Sequence, residues 1–202
     1  MRDKPCILVF AGPNGSGKST ITQYFSTVGV YSNADDLKRN LQCTDLEAAE
    51  LVYTMRKRMV EKQGDFTFET VMSTRRYLDL LRNAKSRGYF IKVVYVLTNS
   101  DTVNVARVRA RVAQGGHDVP VSKIKSRYHK SLELLPELVS LSDICHIYDN
   151  TDNPVRIFRK KSGTINLYPN IFWSLERIAD VTGICYDSKH SGKVYVKPMN
   201  LE

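Results

Sequence analysis

The sequence has little of what marks membrane, secreted and metal-binding proteins. No apolar run approaches the ~18 residues that a membrane-spanning helix needs. The short apolar run after Pro5 is typical of a strand leading into a loop, not of a signal peptide. Only four cysteines are present, without a C-x-x-C pair or histidines at metal-ligand spacing: Cys6, Cys43, Cys145 and Cys185. We interpret them as free thiols and expect a cytoplasmic protein.

The composition is that of a globular protein with a local excess of positive charge. Hydrophobic residues make up 42% and charged residues 25% of the 202 residues, enough for one domain with a sizeable core. The net charge of +9 is compatible with nucleic-acid binding or with a pocket for several phosphates. Between residues 107 and 130, only Asp118 opposes seven cations: Arg107, Arg109, Arg111, Lys123, Lys125, Arg127 and Lys130. This clustering favours a phosphate-binding site over a general polyanion-binding surface.

Apolar strand patterns alternate five times with amphipathic helical patterns. The predicted strands span 6–11, 30–33, 66–69, 90–97 and 144–148, and the predicted helices span 18–28, 44–63, 74–87, 101–113 and 121–135. Thr44 and Glu47 predict a capping box, and Asp101 is expected to cap the fourth helix. This α/β alternation predicts a parallel sheet of about five strands with helices on both faces. Ligands of such sheets bind beyond the carboxyl ends of the strands.

Residues 12–19, Gly-Pro-Asn-Gly-Ser-Gly-Lys-Ser, match the P-loop pattern G-x-x-x-x-G-K-[ST]. They follow an apolar strand and open a helix, as a P-loop does, and their glycines let backbone N–H groups turn onto phosphate oxygens. Lys18 is expected to reach the β- and γ-phosphates, and Ser19 to ligate Mg²⁺. The predicted nucleotide-binding residues are Gly12, Pro13, Asn14, Gly15, Ser16, Gly17, Lys18, Ser19 and Thr20.

Features of other P-loop classes are missing, which favours a kinase. The sequence has neither a downstream hydrophobic run ending in a Walker-B aspartate nor an L-S-G-G-Q signature. A kinase needs a carboxylate to orient and deprotonate the acceptor hydroxyl. Asp35 and Asp36, after the second strand, fit a base, a Mg²⁺ ligand or a helix N-cap equally well. Glu69, at the end of a buried strand, is predicted to bind substrate or metal, with a structural salt bridge as the alternative.

A mobile lid is predicted around residues 111–127. Gly115 and Gly116 separate two basic helical segments, an arrangement suited to closing over phosphates. Arg111 and Arg127 are the candidate phosphate-binding arginines, although part of this basic group is expected to be an exposed helix face. His117 is a candidate phosphate contact or an ordinary polar residue of the loop.

Five features, taken in chain order, resemble the zeta-toxin family over residues 5–150. They are the P-loop, Asn33-Ala34-Asp35, Phe68-Glu69-Thr70, Arg111 and Gly-Gly-His-Asp-Val-Pro at 115–120. Zeta toxins are P-loop kinases that phosphorylate UDP-N-acetylglucosamine on the sugar 3′-hydroxyl. The resemblance implies ATP and Mg²⁺ as cofactors and an antitoxin protein as partner. It implies catalytic roles for Asp35, Lys18, Arg111 and Arg127, and substrate contacts for Glu69, Thr70 and His117. Either Arg127 or His117 corresponds to the family's second lid cation.

Two positions depart from the family pattern. Val71 and Ser73 stand where zeta toxins have a hydroxyl residue and an arginine, although Arg75 and Arg76 follow closely. These departures concern the acceptor and leave the triphosphate site intact.

We therefore expect a P-loop kinase domain at 1–150 and a C-terminal extension at 151–202, made of a hairpin (155–161 and 164–168) and a helix (170–181). The expected reaction is phosphorylation of a hydroxyl on a small molecule, foremost a nucleotide sugar. One alternative, a nucleic-acid-directed kinase or binding protein, is disfavoured because nucleic-acid module signatures are missing. Another is an interaction protein whose docking is regulated by nucleotide binding.

Overall fold

The computed structural model describes residues 4–34 and 44–185, so Asp35, Asp36 and Cys43 lie outside the described residues. The described strands form one sheet in the order β2-β3-β1-β4-β5-β6-β7. They are β1 (Cys6–Ala11), β2 (Val30–Ser32), β3 (Phe66–Thr70), β4 (Phe90–Leu97), β5 (Ile144–Asp149), β6 (Val155–Lys161) and β7 (Thr164–Leu167). The first five strands are parallel, as predicted, and the predicted hairpin extends the sheet as two antiparallel strands.

The described helices are α1 (Lys18–Thr22), α2 (Asp45–Glu61), α3 (Arg76–Ser86), α4 (Asp101–Ala113), α5 (Val121–Glu133), α6 (Leu135–Leu141) and α7 (Leu175–Thr182). The first helix is shorter than the predicted 18–28, because Phe25 and Val28 turn back onto the sheet and Gly29 takes a positive φ of 54°. A separate α6 follows α5, because Pro136 lacks an N–H and interrupts the helical hydrogen bonds.

Two predicted helix starts differ in detail. Ser100, not Asp101, is the N-cap of α4, since the Ser100 backbone is extended while Asp101 already lies in the first turn. The last helix begins after Ser174, whose hydroxyl accepts the N–H of Arg177 at 3.2 Å. The helix does not start at Asn170, because the Asn170 side-chain oxygen instead holds a turn by accepting the N–H groups of Phe172 and Trp173. The capping box of Thr44 and Glu47 at α2 is confirmed.

The two faces of the sheet are covered unequally. The main core lies on one face, where α2, α3, α6 and α7 pack against the central strands, and it includes Phe158, Trp173 and Ile178 of the C-terminal segment. On the other face, a small cluster joins Ile21 of α1 to side chains of β1 and β4. None of the described helices is both long and apolar enough to cross a membrane. Among the described residues, Cys145 and Cys185 are free thiols.

Candidate nucleotide and acceptor site

The P-loop connects β1 to α1 and packs tightly against two asparagines. Gly15 and Gly17 have φ angles of 77° and 81°, which residues with a side chain rarely adopt. A Cβ on Gly15 would overlap the backbone of Asn104, and a Cβ on Gly17 would overlap the side-chain amide of Asn150. Both glycines are therefore required by backbone conformation and by close packing.

The same asparagines fix the orientation of the loop carbonyls. Asn104 Nδ2 donates to the carbonyl of Asn14 at 2.7 Å, and Asn150 Nδ2 donates to the carbonyl of Ser16 at 2.8 Å. Both amides are buried, and Asn104 Oδ1 in turn accepts the hydroxyl of Thr98. A carbonyl held on the outside of the loop cannot turn inward, so the two amides keep these oxygens away from a bound phosphate.

The residues inside the loop fit a phosphate ligand. Lys18 Nζ donates to the carbonyl of Gly12 at 2.8 Å and to that of Pro13 at 3.4 Å, so the ammonium lies across the loop. The fully buried Ser16 hydroxyl has no hydrogen-bond partner among the described residues. Because α1 has only five residues, the expected helix-dipole contribution is small, and the loop N–H groups and Lys18 are the main sources of positive potential.

Glu69 lies beside the start of the P-loop. In the parallel pairing of β1 with β3, Phe10 is opposite Glu69 and Ala11 is opposite Thr70. Glu69 Oε1 accepts the hydroxyl of Tyr31 on β2 at 2.7 Å, and Glu69 forms no ion pair with the described residues. Among the described residues, the side-chain partner of Glu69 is therefore a hydroxyl and not a cation.

Thr70 follows Glu69 but points into a turn. It is buried, and its hydroxyl accepts the N–H of Met72, which has a φ of 53°. The next carbonyl, that of Val71, accepts the Ser131 hydroxyl of α5 at 2.8 Å. The Thr70 hydroxyl therefore supports the end of β3, and its role toward the acceptor stays a prediction.

The structure separates the three predicted lid residues. Arg127 reaches the P-loop, where its Nη1 donates to Asn14 Oδ1 at 3.2 Å. Arg111 instead donates to the carbonyl of His117 at 2.7 Å and so shapes the loop between α4 and α5. Both Arg111 and the His117 side chain are exposed, and neither forms a hydrogen bond to the described P-loop. Of the two candidates for the second lid cation, Arg127 is the one near the phosphate loop.

A small apolar cluster joins the predicted lid to α4. It consists of Val105 and Val108 from α4 with Val119 and Ile124 from the loop and α5, and it is separate from the main core. A segment whose apolar residues pack mainly among themselves can move relative to the sheet without opening the main core. This packing is compatible with a lid.

Sequence reasoning missed a buried arginine between β2 and β3. Arg56 of α2 is 1% exposed; its Nε donates to Ser32 Oγ at 3.0 Å and its Nη2 to the Ser32 carbonyl at 2.9 Å. Nη2 also lies 3.4 Å from the carbonyl of Glu69. The guanidinium is 4.4 Å from the ring centre of Phe68. Arg56 thus joins the carboxyl end of β2, which leads toward Asp35, to the end of β3, which carries Glu69.

The charge of Arg56 is unusual for so buried a position. Burial lowers the pKa of Arg56 to about 10, while the hydroxyls of Tyr77 and Tyr31 act in the opposite direction, so the guanidinium remains charged at neutral pH. Among the described residues its Nη1 has no hydrogen-bond partner. The sequence does carry a signal for this residue, because Arg56 interrupts the apolar stripe of α2 between Val52 and Val60.

Comparison with known proteins assigns the chain to a family. A sequence model described as "Zeta toxin" matches residues 1–168. The chain belongs to the zeta-toxin family. Its sheet with a P-loop after β1 is accordingly the P-loop kinase fold, as predicted.

The relatives of this zeta-toxin family member are distant in sequence. An uncharacterised protein of Haemophilus influenzae is 26% identical over 127 residues, which cover 60% of this chain and 91% of that protein. The AvrRxo1-ORF1:AvrRxo1-ORF2 structure with ATP superposes with a TM-score of 0.65 at 12% identity. This superposition covers 89% of this chain but only 64% of that one. The PezAT toxin-antitoxin structure of Streptococcus pneumoniae gives a TM-score of 0.58 at 11% identity, covering 94% and 82% of the two chains. The structural similarities show a shared fold.

Replacing Asn104 or Asn150 by alanine should weaken ATP·Mg²⁺ binding. Each change leaves a P-loop carbonyl without its buried hydrogen-bond donor. Such a loss typically costs about 1–3 kcal/mol. If the cost falls on the nucleotide-bound state, the affinity should drop roughly 5- to 100-fold. Asn153→Ala, in the exposed bend after β5, is the matched control and should bind as the wild type does. Calorimetric titration of folded variants measures the effect. Wild-type affinity in both Asn104→Ala and Asn150→Ala would contradict the role assigned to the amides.

Replacing Arg56 should affect the acceptor side more than the nucleotide side. Arg56→Met keeps much of the volume but removes the bonds to Ser32 and Glu69, and Arg56→Lys keeps the charge but not the planar fork of donors. We expect KM for the acceptor to rise at least about tenfold, the effect of losing roughly 1.4 kcal/mol, while ATP affinity stays near that of the wild type.

Arg58→Met, an exposed position on the same helix, is the control for Arg56. Steady-state kinetics with each substrate varied in turn separates the two KM values. An equal rise in both would indicate general loss of structure instead of positioning of the β2 and β3 ends.

Proposed function

We propose that this protein transfers the γ-phosphoryl group of ATP to a hydroxyl of a small acceptor, foremost a nucleotide sugar such as UDP-N-acetylglucosamine. The observation that carries the proposal is the pairing of β1 with β3, which sets Glu69 beside the residues that begin the P-loop. Adjacent parallel strands lie about 4.8 Å apart, so a nucleotide on the P-loop and an acceptor at Glu69 would be close enough to react.

On the nucleotide side, the chain offers a cradle for ATP·Mg²⁺. Lys18 would hold the β- and γ-phosphates, the Ser19 hydroxyl would ligate Mg²⁺, and Arg127, beside Asn14, would contact the transferring group. Bound ATP supplies the phosphoryl group, and Mg²⁺ offsets its charge. Fixed positive groups at this position stabilise charge that redistributes during transfer. Arg111 would add a second cation if the lid closes.

On the acceptor side, we assign Asp35 as the general base. As the acceptor oxygen forms its bond to the γ-phosphorus, the bond from that phosphorus to the bridging oxygen breaks and ADP leaves. The proton of the hydroxyl passes to the Asp35 carboxylate. Asp35 directly follows Ala34, the last described residue after β2. The Glu69 carboxylate, already bound to the Tyr31 hydroxyl, would accept hydrogen bonds from sugar hydroxyls.

One feature favours an anionic acceptor. Arg56 places a positive charge beneath the ends of β2 and β3, and it forms no ion pair with the described residues. Arg75 and Arg76 follow β3 closely, although Arg76 pairs with Glu50 and Arg75 with Glu137. Val71 and Ser73 alter the family's acceptor pattern, so the position phosphorylated has to be identified on the product. We also propose an antitoxin protein as partner, which the family and the PezAT complex support.

The direct test is a labelling experiment. Purified protein is incubated with γ-labelled ATP and either UDP-N-acetylglucosamine or a small-metabolite extract, and labelled products are identified by mass. Lys18→Ala should lose at least about 100-fold in transfer, since a positive group at the reacting phosphate contributes several kcal/mol. Lys57→Ala, an exposed lysine of α2, is the control. Release of free phosphate alone, with no labelled acceptor, would overturn the kinase proposal.

Asp35→Asn separates chemistry from architecture. Asparagine keeps the shape and can cap a helix, but it cannot take a proton, so acceptor turnover should fall about 100- to 10,000-fold while ATP·Mg²⁺ affinity is retained. Both quantities are measured on one preparation. Weaker nucleotide binding together with lost turnover would instead make Asp35 a Mg²⁺ ligand. Retained turnover would make it only a cap and contradict the assignment as base.

A further inference from the structure

The half of the sheet farthest from β2 has an open face that the proposed kinase reaction does not use. On this face, β1 and β4 are covered by Ile21 of α1 with Phe25 and Val28, but the described helices leave β5, β6 and β7 uncovered. We call this surface, formed by alternate residues of β5–β7, the open face. The question is which side chains it presents.

The strand pairing identifies the residues of the open face. Cross-strand partners point to the same side of a sheet, and β5 pairs His146 with Arg159 and Tyr148 with Arg156. Lys161 belongs to the same row, opposite Ile144. A bulge between Ile147 and Tyr148 skips one residue of β6, which lets Arg156 and Arg159, three positions apart, share a face. Polar residues of β7 complete the surface, with Asn166 opposite Arg159 and Thr164 opposite Lys161.

The open face is strongly basic. Arg156 and Arg159 are half-buried and Lys161 is exposed, and none of the three forms an ion pair with the described residues. Burial, together with the charges of Arg156, Arg159 and Lys161, lowers the pKa of His146. These cations are distinct from the group at 107–130 and account for part of the net charge of +9.

Aromatic rings lie among these cations. The ring of Phe25 contacts His146 and Tyr148 edge to face, and the rings of His146 and Tyr148 are tilted by 58°, with all three centroid distances between 6.2 and 6.5 Å. At the β7 side, Tyr168 is 37% exposed, and the guanidinium of Arg156 lies 5.2 Å from the centre of its ring. The surface thus combines planar rings with cations that form no ion pair with the described residues.

We propose that the open face binds single-stranded nucleic acid. Cations on neighbouring strands would contact successive phosphates, while the exposed ring of Tyr168 offers a face on which an unpaired base stacks. An acidic polypeptide would also be attracted by the charge, but it has no planar bases to match the exposed rings. The combination of rings and cations is therefore what favours nucleic acid. The sequence-based expectation differs, because the excess of cations at 107–130 favoured a phosphate-binding site over a polyanion-binding surface.

Fluorescence anisotropy with labelled single strands tests the proposal. The probes are RNA and DNA of mixed sequence, each about 12 nucleotides long, within the range of known single-strand sites. The variant Arg156→Gln/Arg159→Gln/Lys161→Gln should bind at least tenfold more weakly at low salt. The slope of log affinity against log salt concentration should become less steep by about 2, because each of the three lost phosphate contacts contributes about 0.7.

Two further variants make the result specific. Lys57→Gln/Arg58→Gln/Lys62→Gln removes the same charge from exposed positions of α2 and its end, and it should bind nearly as the wild type does. Tyr168→Ala should weaken binding about fivefold or more, the effect of losing one stacked base, without changing the salt slope. An equal loss in both charge variants would overturn the proposal, since net charge alone would then explain binding.

Polyglutamate supplies the remaining comparison. If it competes as well as the oligonucleotides and Tyr168→Ala has no effect, the surface recognises an acidic peptide and the nucleic-acid proposal is wrong. Transfer to the small acceptor is measured on the same preparations. Loss of oligonucleotide binding in the open-face variant is a separate result from any loss of phosphorylation, so the two proposals can fail independently.

Discussion

The site depends on two buried amides that hold the P-loop carbonyls from outside. Asn104 lies in the first turn of α4, the helix after β4, and Asn150 directly follows β5, so the loop after β1 is held by residues that follow the next two strands of the sheet. The close approach of these residues explains why Gly15 and Gly17 cannot carry a side chain. Phosphate binding is therefore a property of three strand ends together, and the eight-residue motif alone does not create it.

The acceptor side uses the same principle with a charged side chain. Arg56 bridges the ends of β2 and β3. Its hydrogen bonds to Ser32 and Glu69 supply contacts that the two short strand ends could not make alone. Burying an arginine costs folding free energy unless its N–H groups form hydrogen bonds. Because Arg56 Nη1 has no hydrogen-bond partner among the described residues, the position indicates a constraint other than stability. Keeping the end of β2, after which the chain leads to Asp35, beside the end of β3 is such a constraint.

Local patterns predicted the strands, the P-loop and the capping box because each depends on neighbours in sequence. The residues that brace the site escaped prediction for the opposite reason. Asn104 and Asn150 contact loop residues 90 and 134 positions away, and Arg56 contacts Ser32 across 24 positions. Likewise, Arg127 contacts Asn14 of the P-loop across 113 positions, a proximity that local patterns do not predict. The early end of α1 was missed because Phe25 and Val28 fit either a helix or a turn onto the sheet.

The open face shows why charge counted along the chain can be misleading. Arg156 and Arg159 are three residues apart, and in a regular strand they would point to opposite sides of the sheet. The bulge opposite Ile147 and Tyr148 allows Ile157 and Phe158 both to enter the core while the arginines remain together on the other side. Burying two successive apolar residues thus brings the flanking cations onto one surface. The hairpin that completes the hydrophobic core is also what creates the basic surface on its far side.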